Sequence, residues 1–321
     1  MKKLLSIGLA AMLAFGLATT SFAEEAGDVT TPTDGTVTIH KVYKLENADT
    51  TSPAETFTLV QDGDGKVTDG EATEAPALGT ITGATYEEGA ATVSGTTGDI
   101  TVALPEYTNV GVYEYTLKEV DGKTAGVVYY PDDIKLVVTV INGENGKLRI
   151  AAVHVESEGE KSDTFPNTYK AGELDVSKTV TGNLGDKNKY FEFKVTLTGE
   201  EGKTYRDSYA VTGGSNTENP STIKIGEETT FLLKHGDTIT IANLPYGVTY
   251  TVTETAAEGY TTEKTGDTGK INAADQAAEF TNNKAGSIDT GVVLNNMPYI
   301  LVLAVLAAGV VVFIIRKRRE D

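Results

Sequence analysis

The sequence predicts an all-β protein: two β-sandwich domains in series, set between an apolar N-terminal segment and an apolar C-terminal one. Short runs rich in β-branched and aromatic residues recur along the chain, each bounded by Gly, Asp, Asn or Pro. No apolar pattern of helical period persists for three turns between the two ends. In the first half the runs are Phe57–Val60, Tyr113–Leu117, Ile134–Val140 and Leu148–Val155. Asn142-Gly143-Glu144-Asn145-Gly146 separates the last two and signals a hairpin. In the second half Phe191–Leu197 alternates apolar with polar, as do Phe231–Leu233, Thr238–Ile241 and Tyr250–Thr253. Many short strands at regular spacing argue for sandwiches.

Both ends of the chain carry export signals. Lys2-Lys3 precedes an apolar stretch from Leu4 to Leu17, and Ser21-Phe22-Ala23 puts small residues where a signal peptidase reads. Residues 1–23 therefore read as a signal peptide, with the mature chain starting at Glu24. The sequence has no cysteine, so lipidation at that point is excluded. At the other end Ser287-Ile288-Asp289-Thr290-Gly291 leads into an apolar run ending at Ile315, then Arg316-Lys317-Arg318-Arg319. An apolar run halts export in the membrane, and the basic cluster stays inside. The cleanest part, Tyr299 to Ile315, is short against the roughly 20 residues a stable span needs. That suits a stop signal later discarded better than a permanent anchor. The layout of 287–321 resembles the sorting signals of Gram-positive surface proteins, which sortases cut between Thr and Gly. The resemblance implies cleavage between Thr290 and Gly291, although the common signal Leu-Pro-x-Thr-Gly has a proline that is missing here.

Between these ends the chain carries 21 basic and 44 acidic side chains, a net charge of −23. Such a surface repels nucleic acid and anionic lipid. An exported protein is free to use disulfides, so any covalent staple here is of another kind.

An internal repeat divides the mature chain. Each half opens with a lysine in a β-like run, Val37-Thr38-Ile39-His40-Lys41 and Leu174-Asp175-Val176-Ser177-Lys178. Each continues with a Tyr-Thr-x-x-Glu strand, Tyr115-Thr116-Leu117-Lys118-Glu119 and Tyr250-Thr251-Val252-Thr253-Glu254. Each closes on Phe-x-Asn, Phe165-Pro166-Asn167 and Phe280-Thr281-Asn282. The order Lys, Glu, Asn thus occurs twice, and the boundary falls at Ala171-Gly172-Glu173. The expected domains are 24–171 and 172–286, joined by a short linker and stacked in line. Taken singly, a strand lysine faces water, and an asparagine near a strand end is a turn residue. The duplication of the whole set argues otherwise.

On these motifs the chain resembles the Gram-positive backbone pilins of the two-domain type, whose Ig-like, CnaB-like sandwiches carry self-formed Lys–Asn isopeptide bonds. The resemblance covers essentially the whole mature chain. It implies that Lys41 joins Asn167 with Glu119 assisting, and that Lys178 joins Asn282 with Glu254 assisting. Lys44 competes with Lys41, and Asn283 with Asn282; the Phe-x-Asn spacing selects Asn282 and Asn167 alike.

The chemistry needs these residue types. Lysine attacks only as the neutral amine, and burial in an apolar core lowers its pKa. The same burial keeps a carboxylic acid protonated, able to polarise the asparagine carbonyl and to shuttle protons as ammonia leaves. The product amide is neutral, which removes the buried charges. The event consumes its own residues, so it is maturation and not enzyme turnover.

Polymerisation requires an amine on the next subunit to resolve the sortase acyl-enzyme at Thr290. The Tyr-Pro-Lys-Asn motif of many pilins is missing: Tyr129-Tyr130-Pro131-Asp132 holds no lysine. Some two-domain pilins use a lysine shortly before the first-domain asparagine, which points to Lys161 in a polar loop, with an ordinary solvated lysine as the alternative. Other constellations fail. Asp62-Gly63-Asp64-Gly65 lacks the ligands of a calcium loop at its later positions. His40, His154 and His235 have no metal-type spacing, and Gly213-Gly214 opens no phosphate-cradling helix. No metal, cofactor or nucleic acid is expected. The expected partners are a sortase, other copies of the chain with accessory pilins, and peptidoglycan. A host ligand is left open. The expected function is a pilus shaft subunit; a wall-anchored monomeric adhesin or stalk is the alternative, and a surface hydrolase lacks a nucleophile–base pair.

Overall fold

The computed structural model describes residues 35–287; the segment read above as signal peptide, and the sorting signal from residue 288 on, lie outside the described residues. Strands dominate, and they form two sandwiches. In the first, one sheet runs in the order Ile81–Thr82, Thr96–Ala103, Thr36–Leu45, Thr164–Tyr169, Val127–Val128. The facing sheet runs Glu160–Lys161, Leu148–Ser157, Ile134–Asn142, Gly111–Glu119, Leu59–Gln61. In the second, Ala171–Thr181 lies between Thr238–Pro245 and Asp275–Asn283. Phe191–Thr198 and Thr249–Glu254 form the centre of the sheet opposite.

Each sandwich has its own core. The first is built on Ile39, Tyr43, Phe57, Ile100, Tyr115, Leu136 and Phe165, and the second on Leu174, Val176, Phe193, Val195, Phe231, Ile239 and Phe280. The alternation that marked the strands in sequence is the alternation of burial: Phe191–Thr198 is buried at 191, 193, 195 and 197 and exposed or half-buried between them. Fully burying one such side chain stabilises by roughly 1.5–3 kcal/mol.

The feature that positions the site is shared by both sandwiches. The opening strand, Thr36–Leu45 or Ala171–Thr181, pairs in parallel with the closing strand, Thr164–Tyr169 or Asp275–Asn283. First and last strands are therefore neighbours. No linker separates the sandwiches: one strand ends at Tyr169 and the next starts at Ala171. Across the junction Thr51 and Asn243 exchange two hydrogen bonds of 3.0 Å. Arg206 donates to the Thr51 carbonyl at 2.9 Å and pairs with Glu88.

Two local expectations are corrected. The run Phe57–Val60 is not one strand. Glu55–Phe57 pairs with Ala84–Tyr86, whereas Leu59–Gln61 pairs with the strand ending at Glu119. The chain changes partner at Thr58, so Phe57 and Leu59 are both buried but in different pairings. Lys161 is not in a loop either. Glu158 and Gly159 take positive φ (52° and 83°), and this tight turn sends Glu160–Lys161 back along Glu156–Ser157 as an exposed edge strand.

Candidate functional site

Lys41 has 0 % and Asn167 1 % of its surface exposed; Lys178 has 1 % and Asn282 0 %. Four polar side chains that ordinarily seek water are thus inside. Strand geometry explains how. In register Lys41 lies opposite Phe165 and Tyr43 opposite Asn167; Lys178 lies opposite Phe280 and Val180 opposite Asn282. Lysine and asparagine are offset by two residues on adjacent parallel strands, so both point into the same core. Parity also puts the competitors on the other face. Lys44 is three residues from Lys41 and faces outward, and Asn283 is exposed.

The glutamate comes from the opposite sheet. Glu119 is the last residue of Gly111–Glu119, and Glu254 the last of Thr249–Glu254. In the first sandwich Lys41 Nζ donates to Glu119 Oε2 at 3.0 Å, while Asn167 Nδ2 donates to Oε1 at 2.8 Å. In the second, Lys178 Nζ donates to both carboxylate oxygens of Glu254 at 3.0 and 2.9 Å, and Asn282 Nδ2 donates to Oε1. One carboxyl group thus touches both the amine and the amide nitrogen, twice over.

The surroundings are apolar and aromatic. Lys41 Nζ stands 5.7 Å from the Phe57 ring centre and 5.6 Å from that of Tyr130. Lys178 Nζ stands 4.5 Å from Phe191 and 5.7 Å from Phe193. Burial pushes the pKa of both lysines below the ordinary value, and the adjacent Glu119 or Glu254 pulls part of the way back. Removing two charges from water costs several kcal/mol per ion, and pairing repays that only in part. Each sandwich therefore keeps a buried Lys–Glu pair at an energetic cost.

The sequence reading missed Tyr130. Its backbone N–H donates to Glu119 Oε2 at 2.7 Å, its ring covers Lys41, and its hydroxyl donates to Ser157 Oγ at 3.0 Å. Nothing in the composition of Tyr129-Tyr130-Pro131-Asp132 signals a backbone donor. The flanking phenylalanines were legible as core, but not as the fence around an amine. One expected contact takes another form: the carboxyl grips the amide nitrogen, and the carbonyl oxygens Asn167 Oδ1 and Asn282 Oδ1 are buried without a partner.

The remaining candidates stand apart. Lys161 is exposed on its edge strand, and its positive charge helps burial hold His154 below the usual imidazole range. Thr290 and Gly291 lie outside the described residues. Among the described residues, no cluster of three or more His, Cys, Asp and Glu could hold a metal ion.

Comparison with known proteins places these features in context. Residues 37–170 match the family described as a Spy0128-like isopeptide containing domain. Residues 172–284 match DUF7601, described as a domain of unknown function. The chain is 30 % identical over 337 aligned positions to a pilin of Streptococcus pyogenes serotype M1, covering 96 % of this chain and 98 % of that one. It is 31 % identical over 137 positions to the pilus tip adhesin Cpa of Streptococcus pyogenes, covering 40 % of this chain and 19 % of the adhesin. Among solved structures, the major pilin of Streptococcus pyogenes superposes with a TM-score of 0.54 at 25 % identity, covering 80 % of this chain and 100 % of that one.

Proposed function

The chain belongs to the streptococcal pilin family and is a structural subunit of a cell-surface pilus, and we propose that each of its sandwiches is closed by a spontaneous amide between its buried lysine and asparagine. The domains are 24–171 and 172–286, a division supported by the two family matches, 37–170 and 172–284. One observation carries the reading: in both sandwiches a single buried carboxyl bonds the would-be nucleophile and the would-be leaving nitrogen.

The chemistry follows from that arrangement. Desolvation favours the neutral amine, and the hydrogen bond to Glu119 or Glu254 gives the surplus proton somewhere to go. Nζ attacks the asparagine Cγ, and a C–N bond forms. The carboxyl takes a proton from Nζ and delivers one to Nδ2. The Cγ–Nδ2 bond then breaks, ammonia departs, and the glutamate keeps the surplus lysine proton as a neutral acid. Packing fixes both partners and so removes the entropic cost of bringing them together. Once the amide exists, two buried charges are gone.

The amide joins the first strand of each sandwich to the last. Tension entering at one end then passes through a covalent shortcut, and the sheets between carry none of it. At the chain end a sortase cuts between Thr290 and Gly291 and transfers Thr290 to Lys161 of another copy, or to peptidoglycan for the terminal subunit. The precursor is held in the membrane until then. Lys161 suits the acceptor role because it is exposed on an edge strand.

Cell-wall extracts test the assembly. A ladder of high-mass species that survives boiling in detergent is expected, and Lys161→Ala collapses it to monomer. A ladder unchanged by Lys161→Ala removes this lysine as the acceptor. A wild-type chain found only as wall-bound monomer favours the stalk or adhesin alternative.

A further inference from the structure

The two sandwiches hold their reactive lysines differently on the side away from the closing strand. In the first, the neighbouring strand Thr96–Ala103 runs antiparallel along the opening strand and reaches past the lysine: Lys41 lies opposite Gly98 and Tyr43 opposite Thr96. In the second, the neighbouring strand begins only at Thr238, opposite Ser177. Beyond that point the chain turns away through Lys234-His235-Gly236-Asp237. The stretch of opening strand that carries the reaction, Lys178 to Val180, has no strand beside it on that edge.

The turn supplies substitutes. Lys178 N–H donates to the Asp237 carbonyl and Gly236 N–H donates to the Lys178 carbonyl, both at 2.9 Å. Val180 presents its N–H to the same edge two residues on, and the acceptor there is a side chain: His235 Nδ1, at 3.1 Å. Val180 is the residue that lies opposite Asn282 in register. The imidazole therefore completes the edge at the position that sets where Asn282 sits relative to Lys178. His235 makes no hydrogen bond or ion pair with Lys178 Nζ or Glu254. Its imidazole accepts this bond with Nδ1 unprotonated and the proton on Nε2.

We propose that His235 is a positioning residue for amide formation in the second sandwich, holding the Val180 backbone so that Lys178 and Asn282 keep their reactive offset. The inference rests on the reading that this amide forms at all. Misplacement by about 1 Å can cost roughly a hundredfold in a proximity-driven reaction, so a lost anchor at this point should be visible as a rate.

The experiment follows ammonia loss by intact mass in freshly translated chain, quenched in denaturant at intervals, with the first sandwich as internal reference. In His235→Leu, which has no acceptor, the second amide should form at least about tenfold more slowly than in wild type, relative to the first. In His235→Asn, whose Oδ1 can take the place of Nδ1, the rate should return to within about twofold of wild type. Equal rates in wild type and His235→Leu overturn the proposal, as does equal slowing in both variants, which would mark the residue as structural only. A second measurement stands independent of the reaction. In an Asn282→Ala background, amide exchange at Val180 should be at least about tenfold faster with His235→Leu than with His235 or His235→Asn; equal protection overturns the proposal. A wild-type chain that loses no ammonia from the second sandwich removes the underlying reading, and the inference with it.

Discussion

Replacing Asn282 by Ala deletes the carbonyl that the proposed amide requires, yet leaves the Lys178–Glu254 pair in place. The mechanical consequence can be worked from the fold. Lys178 and Asn282 are 104 positions apart in sequence, but they sit on adjacent strands. If an amide joins them, no pull on the chain ends can lengthen the intervening segment. Without it, that segment extends at about 3.3–3.6 Å per residue, a gain of about 34–37 nm, less the strand spacing of about 0.5 nm. Single-molecule pulling on the ends of residues 35–287 reads this directly. The wild type should show neither this step nor a longer one from the 126 positions between Lys41 and Asn167. Asn282→Ala should show one step of the stated length. On the proposed account the same change removes a cross-link closing a loop of about 100 residues, worth about 4.7 kcal/mol by the chain-entropy argument applied to disulfides. The melting temperature of the second sandwich should then fall by roughly 20 °C. A wild-type chain that extends by the same step as the variant refutes the reasoning.

Three further outcomes follow from the geometry. In an Asn167→Ala background, where no amide can form in the first sandwich, Glu119→Ala leaves Lys41 unpaired in the core and removes the acceptor of Tyr130 N–H; calorimetry should show the first sandwich destabilised by roughly 3–5 kcal/mol and the second unchanged. Phe193 packs edge-on against Phe280 at 5.1 Å and borders Lys178. Phe193→Ala should cost roughly 3–5 kcal/mol in urea unfolding of the unreacted Asn282→Ala chain. In that unreacted chain Lys178 has a native pKa below its unfolded value of 10.5. Between the two values the unfolded chain binds more protons, so stability rises with pH across that window. The stability difference between wild type and Asn282→Ala should therefore shrink as pH is raised towards 10.5, and urea titrations at several pH values would show it.

Much of this arrangement was legible in the sequence because strands have a period of two. Phe191–Thr198 alternates in letters as it alternates in burial, and the hairpin signal at Asn142–Gly146 joins two paired strands. The six residues Lys41, Glu119, Asn167, Lys178, Glu254 and Asn282 were findable because each motif occurs twice in one order. The same periodicity that buries Lys41 turns Lys44 outward. What escaped depends on tertiary placement. Tyr130 acts through its backbone, and backbone donors carry no letter. The break at Thr58 reflects a change of partner strand, which no local run encodes. The Glu160–Lys161 strand arises from a turn at Glu158-Gly159 that looks in sequence like a polar loop. His235 has no metal-type spacing in sequence, yet it completes a sheet edge whose gap shows only once the strands are aligned.

The intact mass of the purified segment from Glu24 to Thr290 decides the matter, followed by peptide sequencing of the digested protein. The expected result is a mass two ammonia molecules lighter than the sequence dictates, with branched peptides uniting Lys41 to Asn167 and Lys178 to Asn282. A mass equal to the unmodified sequence, with those four side chains recovered intact, would contradict covalent closure of the sandwiches.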